Sequence, residues 1–171
     1  MIKSIIWTVV FSFIAAVLRS TLLSNLTLGG AGPDLALIII VFSAYVNGPM
    51  VGQISGFFSG ILIDVLSFAP LGLNVFIRTL TGALTGLLKG SFFLDVFLVP
   101  MILCACATLF KAFILFMLNL LIPQAIPAYS FLSTVLWAEL ALNSLAAPFL
   151  FGFLKRFRPM IAESKQTGRN R

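Results

Sequence analysis

The stretch GQISGFFSGILID, residues 52 to 64, sets Gly52, Gly56 and Gly60 at four-residue spacing inside an apolar run and ends that edge with Asp64. Residues four apart share one face of a helix. The next apolar run carries the reverse arrangement: Asn74, Arg78, Gly82, Gly86 and Gly90. Folding the chain about Leu71 sets Asp64 opposite Arg78, Gly60 opposite Gly82, Gly56 opposite Gly86 and Gly52 opposite Gly90. Lipid tails are as apolar as leucine, so membrane helices associate through close packing, and small residues allow it. A lone carboxylate at mid-bilayer costs roughly 2.5–3.5 kcal/mol on the insertion scale. An arginine at equal depth offers it a two-pronged partner. The pattern predicts an antiparallel hairpin, closely crossed through glycine and held in register by an Asp64–Arg78 ion pair. One such glycine ladder is weak evidence; two mirrored copies ending in opposite charges are far more specific.

The rest of the chain supplies the solvent for such a hairpin. Of its 171 residues 60% are hydrophobic and 9% charged, with a mean hydropathy of +1.13. A water-soluble domain needs a far more polar surface; a bilayer accepts this composition. The length suits one compact membrane domain. The formal charge is +6, but Lys155, Arg156, Arg158, Lys165, Arg169 and Arg171 all follow the last apolar run. That clustering marks a cytoplasmic membrane flank rather than a nucleic-acid surface. There is no His. Cys104 and Cys106 lie two apart on an apolar helix and point to different faces, so they read as small apolar filler, with no metal site and no cofactor.

Six apolar segments stand near residues 4–23, 34–46, 50–68, 73–88, 96–121 and 131–153. The breaks between them carry turn chemistry. Pro33-Asp34 is a helix start, with an acid at the positive dipole end, and Asn47-Gly48-Pro49 is a tight turn. The first segment has some features of a secretory signal, but its apolar run extends to Leu23 and it reads as a retained helix. The fold class expected is an all-α polytopic membrane protein of six transmembrane helices. Residues 1–155 form one six-helix domain and 156–171 a basic cytoplasmic tail. Six spans put both termini in the cytoplasm. Lys89 and Lys3 then fall on the inner side, and the outer loops 24–33, 69–72 and 122–130 contain no Lys or Arg, in keeping with the positive-inside rule. Segment 2 is the weak point: about 13 residues reach only ~20 Å against a ~30 Å hydrocarbon core. It begins before Pro33, sits in a thinned bilayer, or is re-entrant, which would separate the termini.

Charges inside the spans gather on one side. By rise per residue, Arg19, Asp64, Asn74, Arg78, Lys111 and Glu139 all fall in the outer half. Buried charges face the bundle interior and pair. Lys111 with Glu139 is the expected pair between neighbouring helices, while Arg19 joins Asp34 at the rim or snorkels. The inner half lacks the polar residues an ion path needs. The cluster is either a structural charge network or a pocket open to the outside. No catalytic residues are apparent: there is no nucleophile beside a base, no pair of acids and no phosphate loop.

The run from Pro33 to Leu88 resembles the rod shape-determining protein MreD family. It does so through Pro33-Asp34, the G-x3-G-x3-G-x3-D of Gly52, Gly56, Gly60 and Asp64, the following Val65-Leu66-Ser67, Pro70-Leu71-Gly72-Leu73-Asn74 and the glycines of segment 4. This covers about a third of the chain; the remainder is similar in size, span count and basic tail. The resemblance implies a bacterial inner-membrane subunit of the cell-elongation machinery. Members work with the single-span protein MreC and help couple MreB filaments to the peptidoglycan polymerase and transpeptidase. It also implies a fold like the substrate-binding subunits of energy-coupling-factor vitamin transporters.

Two functions therefore compete. One is a non-enzymatic scaffold offering a lipid-facing groove to the helix of an MreC-like partner. The other is a vitamin-binding transport subunit, in which Gly52, Gly56 and Gly60 face a transport module instead of segment 4. A small channel or flippase is a third and weaker reading.

Overall fold

The computed structural model describes residues 1–21, 31–67, 70–90, 97–123 and 133–162. The expected positions Lys165, Arg169 and Arg171, and most of the loops 24–33 and 122–130, lie outside these. The order is α1 (Ile2–Thr21), α2 (Leu35–Asn47), α3 (Pro49–Leu66), α4 (Leu73–Leu87), α5 (Leu98–Leu121), α6 (Thr134–Arg156) and α7 (Arg158–Ile161). Each of the six apolar segments thus contains a helix. Four of them, α1, α3, α5 and α6, are long and apolar enough to cross a membrane.

The short helix α2 has 13 residues, and its setting explains how so short an element holds. Every residue from 36 to 45 is buried, and α1, α3, α4, α5 and α6 all pack on it. A helix that is apolar all round belongs inside. Its polar ends are met by protein groups. At the start, the Asp34 carboxylate accepts the Leu37 amide at 3.1 Å, a side-chain cap for orphan helix donors. At the end, Lys89 Nζ donates to the Asn47 carbonyl at 2.7 Å, a cation on the negative end of the dipole. Gly48, with φ +105°, then turns the chain into Pro49 at the start of α3.

The main core gathers around α2. Phe42 meets Phe151 edge-on at 5.0 Å between centroids, among Ile38, Val41, Leu103 and Leu154. Cys104 is buried within this cluster, and Cys106 is exposed. Beyond α6 the chain folds back: Phe157 meets Phe11 in a tilted ring contact, 5.5 Å between centroids, and the Ile161 carbonyl accepts from Asn47 Nδ2 at 3.0 Å.

Helices α3 and α4 form the most extensive contact in the molecule, and they meet through glycine. A methyl group on Gly52 would lie 2.4 Å from the Gly82 carbonyl oxygen, and one on Gly82 would lie 2.2 Å from that of Gly52. Gly56 lies against the Arg78 carbonyl, Gly60 against Val75 and Gly86 against Pro49. The close crossing is present, but its register differs from the expected one. Gly52 faces Gly82 rather than Gly90, a slip of about two turns. Gly90 is outside the seam, in a turn at φ +75° with open space around it. A glycine ladder matches itself at every turn, so glycine alone does not choose among registers.

Candidate functional site

Asp34 is the centre of a buried polar network at the start of α2. It is 3% exposed. Arg78 Nη2, from α4, lies 2.9 Å from Oδ1 and 3.0 Å from Oδ2. Lys111 Nζ, from α5, lies 3.3 Å from Oδ2 and also pairs with Glu139 of α6. The Asp34 amide donates to Asn143 Oδ1 at 2.7 Å, and Asn143 Nδ2 donates to Thr108 Oγ1 at 3.0 Å. Four helices, α2, α4, α5 and α6, are therefore joined through one carboxylate and its neighbours. Ion pairs this deep hold only when each charge is matched and hydrogen-bonded; here two carboxylates face two cations.

The expected Asp64–Arg78 pair is not formed. Arg78 turns to Asp34, and Asp64 serves the start of α4. Asp64 Oδ2 accepts the amides of Gly72 at 2.9 Å and Val75 at 3.2 Å. Oδ1 accepts the Asn74 amide at 3.0 Å and Asn74 Nδ2 at 2.9 Å. The first turn of a helix presents unpaired amides and a positive dipole end, and the carboxylate meets both needs without an arginine. This cap also sets the register of the hairpin, because it holds residues 72 to 75 at the level of Asp64.

Of the other expected site residues, Lys111 and Glu139 are brought together. Asn74 joins Asp64 rather than a wider cluster. Arg19 makes no direct ion pair among the described residues, although its charge acts on Asp34 from a greater distance. It lines a cavity of about 470 Å³ whose wall also includes Ser20, Asp34, Ile63, Leu66 and Arg78. Asp34, expected at the outer rim, is instead buried.

The half of the bundle near Asn47 is also not free of polar groups, contrary to the sequence reading. Ser4, Thr8, Ser43, Asn47 and Thr85 are buried there. Thr8 donates to the Ser4 carbonyl at 2.7 Å and shares a 2.7 Å contact with Ser43 Oγ. Thr81 and Thr85 donate to the carbonyls of Ile77 and Thr81. Several of these hydroxyls bond back to their own helix and are satisfied locally, while Thr8, Ser43 and Asn47 are linked to one another through their side chains.

Sequence reasoning missed Asp34 as a hub, together with Asn143 and Thr108. The position of Asp34 was visible as a helix start, but a cap uses only part of a carboxylate's capacity. Asn143 and Thr108 are uncharged polar residues in apolar helices, with no spacing that marks them. Among the described residues, no group of three or more Asp, Glu, Cys or His gathers as a metal would require.

The family profile described as "rod shape-determining protein MreD" matches residues 1–157, nearly the whole chain and well beyond the third that carries the motifs. The chain belongs to the MreD family. No curated protein matches it, and no solved structure does. An MreD-family chain with four helices of spanning length is a membrane protein with a role in rod shape determination.

Proposed function

We propose that this MreD-family protein is a non-enzymatic scaffold of the cell-elongation machinery in the bacterial inner membrane, with six spans and both termini cytoplasmic. It binds a single-span MreC-like partner, and through it MreB filaments and the peptidoglycan polymerase and transpeptidase. The observation that carries this reading is the family match across residues 1–157. The side chains support it. The network charges of Asp34, Arg78, Lys111 and Glu139 are engaged in ion pairs with one another, an arrangement suited to holding helices in place. A groove of about 610 Å³ between α1 and α3, lined by Ile2, Ile6, Val10, Ile54, Phe58 and Ile61, offers an apolar face to a passing helix. Packing against such a helix would rest on shape and dispersion. Co-purification in mild detergent tests the proposal: MreC is retained by the intact chain, and consistent failure to retain it overturns the reading.

The cavity beside Arg19 and Arg78 favours a second reading, a vitamin-binding subunit of an energy-coupling-factor transporter. Its volume falls in the range of small-molecule sites, about 300–1,000 Å³. Saturable vitamin binding by the purified protein would support that reading over the scaffold.

A further inference from the structure

We infer that the cavity between the ends of α1, α2 and α3 and the first turns of α4 is an oxyanion site, with Arg78 and Arg19 as its cationic groups. The occupant is a phosphate-type group carried on an apolar body.

The argument starts from Arg78. Its side chain is 3% exposed, and it has five N–H donors in a fixed fork. Nη2 meets both oxygens of Asp34. Nε and Nη1 have no hydrogen-bond partner among the described residues. Leaving buried donors unpaired is costly, the more so when they are charged, so such an exception calls for a cause. Asp34 does not supply one, because its oxygens are already shared among Arg78, Lys111 and the Leu37 amide.

The charge balance around the cavity points the same way. Arg19, Arg78 and Lys111 stand against Asp34 and Glu139, three cations against two carboxylates, while Asp64 is committed to the cap of α4. Among the described residues one positive charge is left over, and Arg19 carries it into the cavity wall. Guanidinium groups match the oxygens of phosphate and carboxylate in spacing and plane. The remaining wall mixes apolar Ala16, Val17, Ile63 and Leu66 with the hydroxyls of Ser20 and Ser67, and the Asp34 carboxylate lies beside Arg78. Cationic groups beside a partly apolar wall suit the head of an anionic amphiphile better than a fully hydrated ion. This holds whether or not the protein is a scaffold.

Titration of the full chain in neutral detergent tests the site with three probes: dioctanoyl phosphatidate, dioctanoyl phosphatidylcholine and inorganic phosphate. Phosphatidate is expected to bind saturably, about tenfold or more tighter than the zwitterionic lipid. Arg19→Gln is expected to weaken phosphatidate binding by about tenfold with the unfolding temperature lowered only slightly, since Arg19 acts on Asp34 from a distance and makes no direct ion pair among the described residues. Ala16→Leu, which fills the apolar wall, is expected to weaken it as well. Competition by inorganic phosphate would identify the oxyanion alone as sufficient, and its absence would show that the apolar body is required. Equal binding of the two lipids, no binding of either anion, or phosphatidate binding indifferent to both substitutions would overturn the inference.

Discussion

Arg78 Nη2 lies within 3.0 Å of both carboxylate oxygens of Asp34, although the two residues are 44 positions apart and a nearer acid, Asp64, lies in the preceding helix. The pair ties the start of the central helix α2 to α4, and Lys111 extends it to α5. Removing one partner of a buried pair leaves the other charge uncompensated, at a cost of roughly 3–5 kcal/mol. Asp34→Asn should therefore destabilise the protein by about that amount, and rod shape should fail with it. Thermal unfolding in detergent, alongside rescue of cell shape, measures both. Asp34→Arg combined with Arg78→Asp should recover little of the loss, because an arginine at 34 would face Lys111 and could not accept the Leu37 amide. Swapping Asp64 with Arg78 should recover none, because those two do not pair.

Asp64→Asn should be milder. The amide keeps one acceptor oxygen where the carboxylate has two, and loses the charge that complements the helix dipole. A cost of about 1–2 kcal/mol follows from the range for helix N-caps. The damage should stay local. Amide exchange at Gly72, Asn74 and Val75 should accelerate while that at Ile38 and Phe42 stays slow. Equal loss across α2 and α4 would contradict a capping role.

These two acids show what the sequence could and could not reveal. The apolar runs and their breakers located the six helices α1 to α6, because hydrophobic length and Pro or Gly punctuation are local signals. The glycine edges of α3 and α4 were legible for the same reason, as was the likelihood that Lys111 and Glu139, one helix apart in sequence, would meet. The partner of Arg78 was not legible. Asp34 and Asp64 both had the right charge and depth. The choice depended on where α4 begins, and thus on amides that no side-chain pattern displays. The register was lost with it, since a ladder of glycines at every fourth position fits as well when slid by two turns.

The glycine seam gives a graded set of substitutions. At Gly52, Gly56 and Gly82 an added methyl meets backbone rather than a flexible side chain, so relief requires the helices to separate. Alanine at any of these should cost about 1–3 kcal/mol, as overpacking does, and Gly56→Leu should cost more and abolish function. Gly90→Ala should cost only about 1 kcal/mol, through its left-handed backbone, because nothing crowds it. Gly152, inside α6 and equally uncrowded, should tolerate alanine or gain up to about 1 kcal/mol from helix propensity.

Lys111 touches two carboxylates, Glu139 and Asp34, so its removal should be felt by both. Lys111→Met should cost roughly 3–5 kcal/mol, as breaking a buried pair does. Glu139→Gln alone leaves Lys111 with Asp34 and should cost less. In the double variant Lys111→Met with Glu139→Gln, the orphaned charge of Glu139 is gone, and the loss should fall short of the sum of the single losses. The shortfall, expected within about 0.5–3 kcal/mol, is the coupling between α5 and α6 at this point. Strict additivity in the unfolding free energies would mean that the two side chains stabilise the bundle independently, and that Asp34 alone holds Lys111 in place.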